Sequence, residues 1–290
     1  MNYTIKNIIL TPINILYRLS PSLALRILFR IKNGYKLNLD NPKTYNEKIQ
    51  WIKLFDKDEL IPICADKFTV REFVDSRGCP EILNDLIWEG YNPEEIPFDS
   101  LPKKFAIKAT HGSGFNILCT DKSKIDEVKI KKQLNKWLKR KFIRCYGEWF
   151  YGIVKPRIII EKYLSDDTQD IPIDYKIMCF NGIPKFIIVD TDRFTGHKRN
   201  IYDLDWNFRK EVSMGFKNDK PILPPKKLAE MLRYASTLSK GFRHARVDLY
   251  LVNEKIYFGE ITFTNGAGFD RIMPYEFDIE MGELFKINIG

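Results

Sequence analysis

Residues 244–264, HARVDLYLVNEKIYFGEITFT, restrict the possible folds more than any other stretch. Two runs rich in aromatic and β-branched side chains flank the turn VNEK, the pattern of an antiparallel hairpin. Each run carries one carboxylate among apolar neighbours, Asp248 in the first and Glu260 in the second. With the turn centred between Asn253 and Glu254, residue 248 falls opposite 259. A small register adjustment then brings Asp248 and Glu260 together on one face. A buried carboxylate is costly unless compensated, and two side by side repel. A hard cation such as Mg2+ resolves both problems, because it takes oxygen ligands. Thr262, two residues on, or Asn265, just past the strand, would add a neutral oxygen. The competing reading is a pair of salt bridges to Arg246 or Arg243.

The rest of the chain supplies the elements for an α+β fold with a largely antiparallel sheet. TYNEKIQWIKLF has Thr44 and Glu47 spaced as a capping box, and DKFTVREFVDSRG is a second helix closed by Gly78. KFAIKAT and NILCTD are short strands joined by the glycine loop HGSGF. DKSKIDEVKIKKQLNKWLKRKF is a basic amphipathic helix with Ile125, Val128, Leu134, Trp137 and Leu138 as its buried stripe. PRIIIEKYL is a buried strand, and DYKIMCFNGIPKFIIVDTDRF is a hairpin turning at Asn181-Gly182. RNIYDLDWNF reads as a further strand, and PPKKLAEMLRYASTLSKGF as a helix ending at Gly241. The expected organisation is a basic helical segment over 1–40, a helical region over 41–104, a small lobe with the glycine loop over 105–164 and a large lobe with the carboxylate pair over 165–290.

With 44% apolar and 13% aromatic residues among 290, there is material for a substantial core. Five scattered cysteines with no CxxC pair give neither a disulfide framework nor a zinc signature, which favours a reducing cytoplasm. A net charge of +9 points to an anionic partner: nucleotide, sugar phosphate, nucleic acid or membrane surface. Residues 1–36 carry six cations, and no acid precedes Asp40. Pro12 and Pro21 break this segment too often for a spanning helix. Either two short helices pack on the main body, or a basic amphipathic segment lies on anionic lipid at the inner face of the membrane.

Two lysines complete a constellation. In KATHGSGFN, Gly112, Ser113 and Gly114 let backbone amides converge on phosphate oxygens, with Lys108 as a nearby cation. No helix opens after the loop, so it is neither a Walker loop nor a dinucleotide fingerprint. Lys176, mid-strand in DYKIMCF, shares a face with Asp174 and Met178. A glycine hairpin, two strand lysines and a paired-carboxylate hairpin together describe a metal–nucleotide triphosphate site.

These segments resemble the ATP-grasp superfamily, and within it the teichuronopeptide-biosynthesis-type (TupA-like) proteins of surface-polysaccharide gene sets. TYNEKIQWIKLFD, ADKFTVREFV, FAIKATHGSGFNIL, RIIIEKYL, DYKIMCFNG, RVDLYLVNEKIYFGEITFTNGAGF and MPYEFDIEMGELF occur in the family's order from about residue 40 onward. The resemblance implies two α+β lobes clasping ATP. Lys108 and Lys176 would hold the phosphates under the glycine loop, with His111 as a further contact, although a lone loop histidine commonly faces solvent. The backbone of Lys162, Tyr163 and Leu164 would bind the adenine edge, with Glu161 nearby. Asp248 and Glu260 would bind Mg2+; the family's asparagine two residues after the glutamate is replaced here by Thr262, leaving Asn265 as the substitute. The implied chemistry joins a carboxylate to an amine through an acyl phosphate, the carboxylate from a uronic acid or amino acid on a sugar-nucleotide or lipid-linked glycan. An arginine should clamp the acceptor carboxylate: Arg246 first, Arg193 second, Arg271 third. A glycan kinase with Asp190 or Asp192 as base is the alternative. A nucleic-acid-binding reading of helix 124–144 is weaker, because its aromatics fit a buried stripe better than a stacking platform.

Overall fold

The computed structural model describes residues 7–165, 172–191 and 196–287. Arg193 and Asp192, and with them the second choice for the acceptor clamp, lie outside the described residues. Helices α1 (Thr11–Leu19), α2 (Pro21–Asn33), α3 (Tyr45–Phe55), α4 (Leu60–Ala65) and α5 (Val70–Ser76) come first. The capping box forms at α3: the Glu47 amide donates to Thr44 Oγ1, and Glu47 Oε2 accepts from the Thr44 amide.

A small antiparallel sheet follows, built from β1 (Leu86–Gly90), β2 (Phe105–Ala109), β3 (Asn116–Cys119) and β4 (Ile158–Lys162) in the order β1-β4-β2-β3. Helix α6 (Glu127–Leu138) covers one face of it. Ile130, Leu134 and Trp137 form the buried stripe of α6, whereas Val128 is 78% exposed. That corrects the sequence stripe: spacing alone allowed either Val128 or Ile130 beside Leu134, and the packed face takes Ile130. Strand β1 falls inside the region expected to be helical, so the small lobe draws on chain from before residue 105.

The large sheet is antiparallel throughout. It comprises β5 (Asp174–Phe180), β6 (Ile183–Thr191), β7 (Lys198–Tyr202), β9 (His244–Val252) and β10 (Lys255–Thr262), ordered β10-β9-β5-β6-β7. Between β7 and β9 run the short strand β8 (Ser213–Met214) and helix α7 (Leu228–Ser239). The short strand β11 (Ile272–Met273), paired with β8, and helix α8 (Tyr275–Leu284) follow β10. Strand β7 stops at Tyr202, and a turn with Trp206 at φ 65° folds the expected strand 199–208 back on itself. Both hairpins turn where the sequence says, with positive φ at Asn181-Gly182 and Asn253-Glu254.

The strand period of two divides the large sheet into unlike faces. Tyr175, Ile177, Ile187, Val189, Val247, Leu249, Ile256 and Phe258 point into a core closed by α4, α5 and α7. On the other face, Met178, Phe180, Phe186, Ile188 and Ile201 lie under α3 and α8. Further along that second face the residues become charged: Asp174, Lys176, Asp190, Arg199, Arg246, Asp248 and Glu260. Half of the face is therefore core and half is a polar platform.

Candidate active site

Asp248 and Glu260 stand directly opposite each other, not one residue out of step. The ladder shifts between Phe258 and Glu260, leaving Gly259 as the extra residue of a bulge. A Cβ at Gly259 would stand 2.9 Å from the Tyr250 ring and 3.0 Å from the Asp248 carbonyl oxygen, so close approach requires glycine there. The bulge turns Glu260 onto the platform beside Asp248.

Arg246 lies between the two carboxylates, so their charge is compensated here by the Arg246 salt bridges of the competing reading, while Arg243 takes no part. Its Nε and Nη2 donate to Asp248 Oδ1 and Oδ2, both at 2.7 Å, and Nη2 reaches Glu260 Oε1 at 3.3 Å. Arg243 pairs elsewhere, with Asp56 at 3.0 Å. Lys176 is bonded to Asp174, to Asp248 at 2.9 Å and, more distantly, to Asp190 at 3.9 Å. Arg199 takes both oxygens of Asp190, at 2.7 and 3.0 Å. Cations and carboxylates thus alternate, which is what allows so many charges to be buried together.

Protonation states follow from this arrangement. Burial would raise the Glu260 carboxyl, but Lys67, Arg246 and Lys176 overcome it and hold it at about 2. Burial opposes ionisation of Asp190 too, and Arg199 and Lys176 bring it to about 2. Burial works against the charge of Lys176, yet Asp248 and Asp174 raise its pKa above the ordinary lysine value. At neutral pH Glu260, Asp190 and Lys176 therefore carry their charges.

The glycine loop is tied to this surface through one lysine. Gly112 and Gly114 have φ of 78° and 77°. Lys67, just before α5, donates to the Gly112 carbonyl at 2.9 Å and sits 3.3 Å from Glu260 Oε2, so it joins loop to platform. Sequence reasoning gives Lys67 no role, because nothing local marks it. Its segment reads as an ordinary helix start, and only the packing of α5 between the lobes reveals it. Ser113 and Gly114 are exposed. His111 faces neither solvent nor the loop's outer surface: its ring is buried against Phe115, and Nε2 is 3.1 Å from the Trp137 carbonyl oxygen. Burial lowers its pKa.

On the small sheet, Lys108 and Glu161 occupy the face opposite the core. Lys108 Nζ donates to Glu161 Oε2 at 2.6 Å, and Arg71 reaches Glu161 Oε1 at 3.2 Å. The Lys162 amide donates to the Asp85 carbonyl, and the Lys162 carbonyl accepts from Asn84 Nδ2. Tyr163 and Leu164 follow directly after β4.

A cavity of about 740 Å3 lies at the root of the glycine loop, where His111 and Phe142 line it. Lys139, Arg140, Lys141 and Arg144 line one side, and Phe142 touches the glycine loop, 3.0 Å from where a Gly112 Cβ would stand. Glu148, also lining it, accepts from Thr264 Oγ1 at 2.6 Å. Arg271 is exposed on the segment before β11.

The donor set suits a hard divalent ion: Asp248, Glu260, Thr262 and Asn265 offer oxygens only. Among the described residues no group of three histidine, cysteine or acidic side chains forms a ready-made metal cage. Mg2+ seldom uses one, keeping waters and phosphate oxygens in its shell. Thr262 Oγ1 leans on Glu260 at 3.3 Å, and Asn265 Oδ1 accepts from Arg246 Nη1. The buried Nδ2 of Asn265 finds no acceptor, a donor suited to a ligand oxygen.

The sequence matches the model of the TupA-like ATP-grasp family over residues 47–286. No curated protein matches the chain. Similar solved structures include D-alanine–D-alanine ligase from Bacillus anthracis complexed with ATP, at 18% identity and a TM-score of 0.42, covering 69% of this chain and 55% of that one. They also include an L-amino acid ligase from Bacillus licheniformis, at 14% identity and a TM-score of 0.46, covering 87% and 57%. D-alanine–D-alanine ligase from Helicobacter pylori matches at 11% identity and 0.45, covering 83% and 69%. The chain spans just over half the length of the two Bacillus proteins, and likenesses this distant carry no argument about chemistry. The family match takes in the glycine loop, both lysine-bearing strands and the Asp248–Glu260 hairpin, and by it the chain belongs to the TupA-like ATP-grasp family.

Proposed function

We propose that the protein is an ATP-dependent carboxylate–amine ligase that forms an amide through an acyl phosphate. The observation that supports the reading is the gathering of Lys176, Asp248 and Glu260 at one end of the large sheet, with Lys67 tying Glu260 to the glycine loop, in a chain of the ATP-grasp family. Phosphoryl transfer asks a protein mainly for positioning and charge neutralisation, and the lysines and arginine gathered here would supply the neutralising charge.

In the proposed reaction an acceptor carboxylate oxygen attacks the γ-phosphorus of ATP. The bond from that phosphorus to the β-γ bridging oxygen breaks, and ADP leaves. An amine then attacks the acyl carbon, the carbon–oxygen bond to phosphate breaks, and the amide forms with release of phosphate and a proton. Lys108, Lys176 and the amides of the Gly112–Gly114 loop would hold the phosphates, with Lys67 as an added cation. The edge after β4, from Lys162 to Leu164, would take the adenine, and His111 would anchor the root of the loop. Asp248 and Glu260, helped by Asn265 or Thr262, would hold Mg2+, which neutralises phosphate charge when bound. Arg246, now the counter-charge of both carboxylates, would be freed for the acceptor once they had another cation. Arg193 and Arg271 stand behind it as alternatives.

The acceptor would enter through the basic cavity along Lys139–Arg144. Its charge suits a uronic acid on a sugar nucleotide or lipid-linked glycan, joined to an amino acid in capsule or O-antigen synthesis on the cytoplasmic side. The test is an ADP-release screen of uronic acids crossed with amino acids. A ligase turns over only with carboxylate and amine together and releases phosphate. ADP formation from a glycan hydroxyl without any amine supports the kinase reading instead, with Asp190 or Asp192 as base.

A further inference from the structure

Helices α1 and α2 precede the stretch matched by the family model, and their surface is unlike the rest of the chain. One face of α2 is core: Ala24, Leu25, Leu28 and Phe29 are buried, the last three packed with Leu37, Ile143 and Phe269. Another face is apolar and uncovered. Leu23, Ile27 and Ile31 recur every fourth residue and are 46%, 38% and 66% exposed. Around α1, Ile8, Ile15 and Leu19 repeat the pattern at 67%, 56% and 81%. Single exposed aliphatics are ordinary, but a stripe on each of two packed helices is not.

Arg26 and Arg30 flank the α2 stripe and Arg18 adjoins that of α1, with Lys32 and Lys36 near the end of α2. Arg18, Arg30, Lys32 and Lys36 are exposed, and Arg26 lies 3.5 Å from Asp40, the first acid in the sequence. We propose that this helix pair docks on an anionic lipid bilayer, with the aliphatic stripes at the headgroup–acyl boundary and the cations on lipid phosphates. The charge pattern selects that occupant over a second copy of the chain, because an isologous contact would set a face of cations without acids against itself. Among the described residues no helix is long and apolar enough to cross a membrane, so the segment lies on the surface. Tyr17, on the side of α1 away from this stripe, lines the basic cavity. The inference does not rest on the ligase reading.

The test is co-sedimentation of the full chain with vesicles of phosphatidylcholine alone or mixed with phosphatidylglycerol. Wild type should bind the phosphatidylglycerol vesicles about tenfold or more tighter than the neutral ones, and release with salt. The triple substitution Arg18→Ala, Arg30→Ala and Lys32→Ala should weaken binding by roughly 100-fold, at about one decade or less per cation. Ile15→Glu with Ile31→Glu should abolish binding while thermal melting stays at the wild-type value. If that pair melts early, Leu19→Glu, the most exposed of the stripe, replaces it. Equal binding to neutral vesicles, no binding to either, or unchanged binding by folded stripe variants would overturn the proposal. So would a sedimenting dimer that those variants turn into a monomer.

Discussion

Replacing Gly259 by alanine probes the device that pairs Asp248 with Glu260. The added Cβ meets the Tyr250 ring at 2.9 Å and the Asp248 carbonyl oxygen at 3.0 Å. The ring can turn, but the carbonyl belongs to β9, which is hydrogen-bonded on both sides by β5 and β10. Ordinary contact asks for roughly half an ångström more, so the bulge must move. Overpacking of this kind costs about 1–3 kcal/mol, which for a chain of this size lowers Tm by roughly 2–12 °C. The displacement falls on the backbone between two residues proposed to share an ion. A misplacement approaching 1 Å can cost on the order of 100-fold in rate, so turnover should fall by about tenfold or more. Thermal denaturation and ADP release measure the two effects. A variant that melts and turns over like wild type would refute the claim that this bulge sets the carboxylate pair.

Other substitutions separate structure from chemistry. Glu260→Gln should abolish turnover and lower Tm modestly, because it removes the charge that Lys67 and Arg246 face; activity assayed beside a melting curve checks it. Lys176→Ala should do both kinds of damage. It leaves Asp174, Asp190 and Asp248 buried without their shared cation, a loss of about 3–5 kcal/mol by denaturant unfolding. Asp190 has its folded pKa depressed to about 2, so its contribution is present above the unfolded carboxylate value and lost as pH falls through about 2. The stability gap between wild type and Asp190→Asn should therefore narrow by roughly 2 kcal/mol on acidification from about pH 5 to pH 2; unfolding titrations across that range read it out. The five cysteines are buried and free, and burial pushes the Cys64 and Cys179 thiols up to about 12. Native protein should resist a thiol reagent that labels the unfolded chain promptly.

Features set by short-range chemistry could be read from the sequence. The turns at Asn181-Gly182 and Asn253-Glu254, the capping box at Thr44 and the glycine stop at Gly78 each depend on a few adjacent residues. Asp248, Glu260, Lys176 and Arg246 were legible because charge in the middle of an apolar strand needs an explanation. Features settled by packing were not. Whether Val128 or Ile130 faces inward depends on where α6 meets its sheet. Strand β1 is five residues long at a sheet edge and ends in glycine, too short to show an alternation. The bulge at Gly259 exists because Tyr250 and the Asp248 carbonyl crowd it, and neither neighbour is adjacent in sequence. Lys67 gains its place only once the loop at Gly112 and the strand at Glu260 come together from 45 residues and nearly 200 residues away.

The central claim is that the charged end of the large sheet receives a metal–nucleotide complex. Calorimetric titration of ATP into the protein, with Mg2+ and then with chelator, tests it most directly. Binding that depends on Mg2+ in wild type and weakens by about 100-fold in folded Glu260→Gln is the predicted result. Equal affinity with and without the ion, or an unaffected Glu260→Gln, would contradict it.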